Sequence, residues 1–129
     1  MKERLQPKGL SDPRPRYTQA IMTKPGRLLF IAGQTAVDAN GNIVGKGDIE
    51  TQVTQVYENI KTVLNDVGGS LQDLVKTTTY ITDIKYRDGL GKVRSRFYEK
   101  DPPTSTLIVV KGLAREEFLV EIEGIEVLD

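Results

Sequence analysis

Residues 48–82 read DIETQVTQVYENIKTVLNDVGGSLQDLVKTTTYIT, and within them the hydrophobic period changes once. Ile49, Val53, Val56, Ile60, Val63, Leu64 and Val67 recur at spacings of three and four, which places them on one face of a helix. Asp48 is suited to cap its start and Gly68-Gly69 to stop it, predicting an amphipathic helix of about twenty residues. Ser70-Leu71-Gln72-Asp73 carries the residue types of a capping box on one short turn. From Leu74 to Thr82 the chain is rich in Thr, Val, Ile and Tyr and alternates, so it reads as a strand: Val75, Thr77, Thr79 and Ile81 on one face, Lys76, Thr78 and Tyr80 on the other.

Working outward, Arg16 to Thr23 and Leu28 to Ala32 read as strands, the second ending at Gly33-Gln34. The Asn-Gly turn in Asp38-Ala39-Asn40-Gly41-Asn42 closes that region. C-terminally, Asp83 introduces a second helix over Tyr86 to Glu99, with Leu90, Val93 and Phe97 inward and a first turn weakened by Gly89 and Gly91. Asp101-Pro102-Pro103 ends it. Thr106 to Val110 is a continuous apolar run, expected to be buried on both faces. Phe118 to Leu128 alternates, with Phe118, Val120 and Ile122 on one face and Leu119, Glu121, Glu123, Ile125 and Val127 on the other. The order is β-β-α-β-α-β-β: an α+β domain with two helices packed on one face of a mixed sheet. Residues 1–15, with three Pro and one Gly, read as an irregular leader, and residues 16–129 as a single domain. The uncovered sheet face, with Leu119, Ile125 and Val127 beside two carboxylates, calls for self-association.

Composition narrows the chemistry. The 129 residues contain no His, no Cys and no Trp, which removes imidazole bases, thiolate nucleophiles, disulfides and the commonest metal ligands. Carboxylates, hydroxyls, Lys, Arg, Tyr, backbone groups and water remain. No run approaches the roughly 18 apolar residues of a membrane span, so the cytoplasm is the expected location. The 18 Lys+Arg balance the 18 Asp+Glu, yet residues 1–27 hold seven basic residues against two acidic ones. Such an arm invites a nucleic-acid reading; its interruption by Pro7, Pro13 and Pro15 and its lack of stacking aromatics favour a solvated leader. Gly41 to Gly47 superficially resembles a phosphate loop but has the wrong spacing, and Gly47 stands where Ser or Thr is needed.

Glu121 and Glu123 lie two apart on one strand face and could act on water as general acid or base; the alternative, favoured by local sequence, is cross-strand pairing with Lys or Arg. Gly33-Gln34, where a strand leaves the sheet, allows close approach of a ligand to the backbone, or is a turn glycine with a structural Gln. Arg87, Arg94 and Arg96 on the second helix are solvated or reach an anionic ligand at an interface.

Taken together, Arg16-Tyr17-Thr18-Gln19, Ile31-Ala32-Gly33-Gln34, Glu58-Asn59-Ile60, Asp73-Leu74-Val75-Lys76-Thr77-Thr78, Pro103-Thr104-Ser105-Thr106 and Val120-Glu121-Ile122-Glu123-Gly124-Ile125 resemble the Rid (YjgF-type) family, the reactive intermediate deaminases formerly labelled endoribonucleases. The resemblance runs from Arg16 to Leu128. It implies a chorismate-mutase-like fold and a homotrimer with metabolite-binding clefts between subunits. It also implies hydrolysis of an enamine or imine to a keto acid and ammonia, a detoxifying reaction that needs no metal or cofactor. Carried over by position, Glu121 would handle water, and Tyr17, Gly33 and Gln34 match cleft positions. The Arg that grips the substrate carboxylate in deaminase members is Ser105 here, their helix Asn is Gly91, and the Ser before Gly-Gln is Ala32. The chain thus resembles an Arg-lacking branch, with altered substrate preference or with Arg94 or Arg96 taking over the anion. A non-catalytic, regulatory metabolite-binding trimer stays open beside the hydrolase. RNA cleavage or RNA binding is disfavoured by a pI near 6.3, few aromatics and no His.

Overall fold

A computed structural model describes residues 2–98 and 100–129. Eight strands and helices follow in the order β1 (Lys2–Leu5), β2 (Ala20–Thr23), β3 (Arg27–Gln34), α1 (Ile49–Asp66), β4 (Leu74–Ile81), α2 (Arg87–Phe97), β5 (Thr104–Val109) and β6 (Val120–Leu128). The main sheet has the order β3-β6-β4-β5, antiparallel except for the parallel β4–β5 pair. The architecture is the expected α+β one, a mixed sheet with two helices.

The long helix forms for the reasons its sequence gives. Asp48 accepts a hydrogen bond from the Thr51 N–H, and the chain leaves the helix through Gly68 at φ +74°. Val53, Val56, Tyr57, Ile60 and Leu64 are buried from α1, and Leu90 and Val93 from α2. They meet Ile31, Leu74, Ile81, Val120 and Ile122 of the sheet in one core. The Ser70 capping box is present, with Asp73 accepting from the Ser70 N–H. At Gly89 an added Cβ would stand 2.7 Å from Ile49 Cγ2, so this glycine sets how closely α2 approaches the start of α1.

Several expectations change in three dimensions. Within the stretch read as irregular, Lys2–Leu5 forms a strand that pairs with β2 in a separate two-stranded sheet. This leader is not simply solvated: Lys2 lies 3.5 Å from Asp73, and Arg4 donates to the Gln72 and Asp101 carbonyls. The strand expected to start at Arg16 starts at Ala20. The second helix ends at Phe97, and Glu99, its expected end, lies outside the described residues. β5 is not buried on both faces. It pairs only with β4, so it is an edge strand, and Ile108 and Val109 are exposed. Val127 shares a face with Ile125 as expected but is buried there; the exposed apolar residues of that face are those of β3, Leu28, opposite Val127, and Phe30, opposite Ile125, at 60% and 69% exposure.

Candidate active site

Two clusters hold the predicted site residues, and they lie apart. The first is a cleft of about 680 Å³ between the N-terminal segment, α2 and β5, lined by Arg16, Tyr17, Arg87, Gly91, Arg94 and Ser105 among others. Three predicted positions, Tyr17, Gly91 and Ser105, therefore come together. Tyr17 is held there by its neighbour: buried Thr18 donates its hydroxyl to the Pro102 carbonyl at 2.6 Å, and its N–H to the Pro103 carbonyl at 3.1 Å. These bonds tie the N-terminal segment to the residues that lead into Ser105. On β5, Thr104 donates its hydroxyl to the Val75 carbonyl at 2.7 Å, and Thr77 donates to the Thr104 carbonyl at 3.1 Å. The edge strand is thereby fixed where the cleft begins.

The second cluster is on the far side of the sheet. The β3–β6 register shifts between Ile31 and Gln34, and the Glu121 side chain lies against Gly33. A Cβ at position 33 would collide with the Glu121 carboxylate, so the Glu121 side chain can occupy this place only opposite a glycine. Gln34 donates to the Ala32 carbonyl at 3.1 Å. Asn59 of α1 fixes the chain just beyond by donating to the Thr35 and Val37 carbonyls at 3.1 and 3.0 Å. Ala32 lines a neighbouring depression of about 530 Å³ with Phe30, Lys76, Thr78 and Glu123.

The two glutamates differ. Glu123 accepts a 2.5 Å hydrogen bond from the Tyr80 hydroxyl, and that bond raises the Tyr80 pKa. Their cross-strand neighbours are Tyr80 for Glu121 and Thr78 for Glu123, and among the described residues neither makes the expected ion pair with Lys or Arg. Glu121 is left half-buried over Gly33.

Ser105 is in register with buried Thr77, on the helix-facing side, whereas Glu121 pairs with Tyr80 on the other. Ser105 is on the β5 edge and Gly33 on the β3 edge, three inter-strand steps or roughly 14 Å apart. The fold of one chain does not bring the two clusters onto a common ligand.

The arginines separate as well. Arg94 lines the Ser105 cleft, but Arg96 turns to the other side of α2, 3.9 Å from Glu50. Arg96 is therefore excluded from this cleft. Lys92 also leans to Glu50, at 3.5 Å. Among the described residues, no ion pair occupies Arg16, Arg87 or Arg94. Arg94 lies near the buried Tyr57 and Tyr98, whose rings meet edge-on at 5.5 Å. Burial pushes the Tyr57 hydroxyl up to about 12, and the Arg94 charge opposes that shift.

Glu126 was not singled out from the sequence. It is fully buried near Gly69, and neither carboxylate oxygen has a hydrogen-bond partner. Burial pushes its carboxyl up to about 7, the Asp73 charge adds to the rise, and Lys2 opposes it. The alternation that puts Val120 and Ile122 inward also puts position 126 inward, so the signal was present. Among the described residues, no group of three or more acidic, His or Cys side chains is placed to hold a metal ion. No helix among them is long and apolar enough to cross a membrane.

Comparison with known proteins extends this geometry. A family profile described as "Endoribonuclease L-PSP" matches residues 10–128. The crystal structure of a Rid-family protein of unknown function, YyfB from Yersinia pestis, superimposes with a TM-score of 0.92 at 34% identity, covering 98% of each chain. The 3-aminoacrylate deaminase RutC of Acinetobacter baylyi is 28% identical over 124 residues, 96% of each chain. Escherichia coli TdcF, solved with bound serine, matches with a TM-score of 0.73 at 28% identity over 83% of this chain and 85% of its own.

Proposed function

The chain belongs to the Rid/YjgF family, that of endoribonuclease L-PSP, and from that premise we propose that it is a homotrimer hydrolysing enamine or imine metabolites in clefts between subunits. One observation carries the reading. Glu121 with Gly33, and Tyr17 with Gly91 and Ser105, are half-sites on opposite faces and opposite edges of one sheet. They become one site when the β5-edge cleft of one subunit meets the β3 edge of the next. Such docking also covers Phe30, Leu28, Ile108 and Val109, apolar side chains that a lone chain leaves in water.

The chemistry suits the residues present. Water adds to the imine carbon while Glu121 accepts a proton from it; the nitrogen is protonated as the carbinolamine collapses. The C–N bond breaks, ammonia leaves, and a carbonyl remains, so one water is consumed for each ammonia released. The Tyr17 hydroxyl and the backbone around Gly33 and Gln34 orient the ligand. The deaminase relative and the serine-bound relative support a small amino-acid-derived substrate.

The test is ammonia release from freshly generated 2-iminopropanoate and 2-iminobutanoate. Wild type should release ammonia faster than buffer, and Glu121→Gln should lose at least about a hundredfold while keeping its oligomeric state. Equal rates in both proteins would remove Glu121 from the mechanism. Ser105 and Gly91, where deaminase members carry Arg and Asn, favour a second reading: a metabolite-binding trimer without turnover. That protein would show saturable ligand binding and no ammonia release from either imine.

A further inference from the structure

Gly91 has no structural reason to be glycine. An added Cβ would meet nothing within 4 Å, and its φ lies outside the left-handed region. Gly89, by contrast, is packed against α1. In a helix interior glycine costs about 1 kcal/mol relative to alanine, so Gly91 weakens α2 without improving its packing. What it does is leave a gap. Arg87, Gly91 and Arg94 stand at i, i+4 and i+7, along one stripe of α2, and the gap opens between two guanidiniums. Ser105, with a short side chain, lies across the same cleft, and Arg16 is at its margin. Arg96 faces Glu50 and lies outside the cleft, and Lys92, at the cleft wall, leans to Glu50 at 3.5 Å, whereas Arg16, Arg87 and Arg94 make no ion pair among the described residues. Among the described residues, Asp88 is the one carboxylate lining the cleft against these three guanidiniums.

We propose that Arg87 and Arg94 form the anion anchor of this cleft, gripping the ligand across the space left by Gly91 and Ser105, with Arg16 closing on it. The proposal deepens the reading of this cleft as the ligand half-site and concerns binding, not the water-handling end. It defines a substrate class. The Cα positions of the two arginines are two helical turns apart, about 10 Å along the axis, and guanidiniums carried on that spacing fit an anion larger than one carboxylate on the reacting carbon. The preferred ligands are dianionic acids, with either a second carboxylate or a phosphate on a spacer. Planar guanidinium forks bind both groups bidentately.

The experiment is an NMR titration of the full-length protein with inorganic phosphate, glutarate and propanoate, following the Arg87 and Arg94 side-chain Nε–H signals and the Gly91 and Ser105 amides. Phosphate or glutarate should produce saturable shifts at these positions, with affinity at least about tenfold above propanoate. Arg87→Gln and Arg94→Gln should each weaken binding about tenfold or more, and Arg96→Gln less than about twofold. The tighter of phosphate and glutarate identifies the anionic group. Shifts confined to the N-terminal basic residues, equal affinity for propanoate, no saturable shift, or unchanged affinity in both arginine variants would each overturn the proposal. Repeating the titration with Glu121→Gln separates the two readings. Arginine-dependent binding without ammonia release from any imine leaves the anchor standing and removes the deaminase. Glu121-dependent ammonia release with arginine-independent binding does the reverse.

Discussion

At position 33 a single hydrogen is what the Glu121 carboxylate packs against. Gly33→Ala places a methyl in that space and must displace Glu121. Turnover should fall at least about tenfold with little loss of Tm, because position 33 is exposed and outside the core. Kinetics beside thermal melting checks this. Glu126 is the opposite case, a buried acid whose effect is on stability. Its carboxyl ionises near 4.5 when unfolded and near 7 when folded. Below 4.5 both states are protonated. As pH rises from 4.5 to 7 the unfolded chain releases a proton that the folded chain retains, so folding stability declines across that window. Glu126→Gln keeps the shape without the titration. It should flatten this decline and raise stability at pH 8 by about 1 kcal/mol or more, as read by urea denaturation at several pH values.

At the scale of elements, α1 is tied to the start of β6 by one buried amide. Gln52 donates to the Gly45 and Glu117 carbonyls at 3.1 and 2.8 Å and accepts from the Leu119 N–H at 2.9 Å. Gln52→Leu leaves the Glu117 carbonyl and the Leu119 N–H without this part-buried partner, while the Gly45 carbonyl still accepts from the Asp48 N–H, so urea denaturation should show a loss of about 1–3 kcal/mol. The apolar period of α1 gave no sign of Gln52, because hydropathy ranks Gln as solvent-facing and does not record its partners. The second helix shows the same division. Leu90 and Val93 are inward as the period requires, but period alone could not distinguish Arg94 from Arg96. Two residues on a helix differ by about 200° in direction, and only the packing of α2 against α1 decides which arginine lines the Ser105 cleft and which lies beside Glu50.

For the whole molecule, the open face and the free β5 edge call for self-association, and the proposed trimer of 14.4 kDa chains is to be checked by sedimentation. Phe30→Glu should shift it to monomer by placing a charge on the apolar face. A mixing experiment tests the shared site directly. Glu121→Gln disables one half-site, and Gly91→Trp fills the other from a position where a Cβ meets nothing within 4 Å. Each variant alone should be inactive. Unfolded and refolded together in equal amounts, they should regain about a quarter of wild-type ammonia release, the fraction of interfaces that pair two intact halves at random. No recovery, with mixed trimers demonstrated, would place the whole site within one chain.

The fold class was legible because it depends on local periods: the change from 3.6 to 2 near Gly68, the Asp48 cap and the alternation of the last strand all act over a few residues. The identities of the candidate site residues were legible too, as short motifs. Their arrangement was not. That Ser105 and Glu121 lie on opposite faces, that β5 is an edge with Ile108 and Val109 exposed, and that Lys2–Leu5 pairs with Ala20–Thr23 all follow from strand order. Strand order is set by contacts between residues far apart in the chain. Local periodicity states which face a residue takes, and only tertiary pairing decides what stands opposite it.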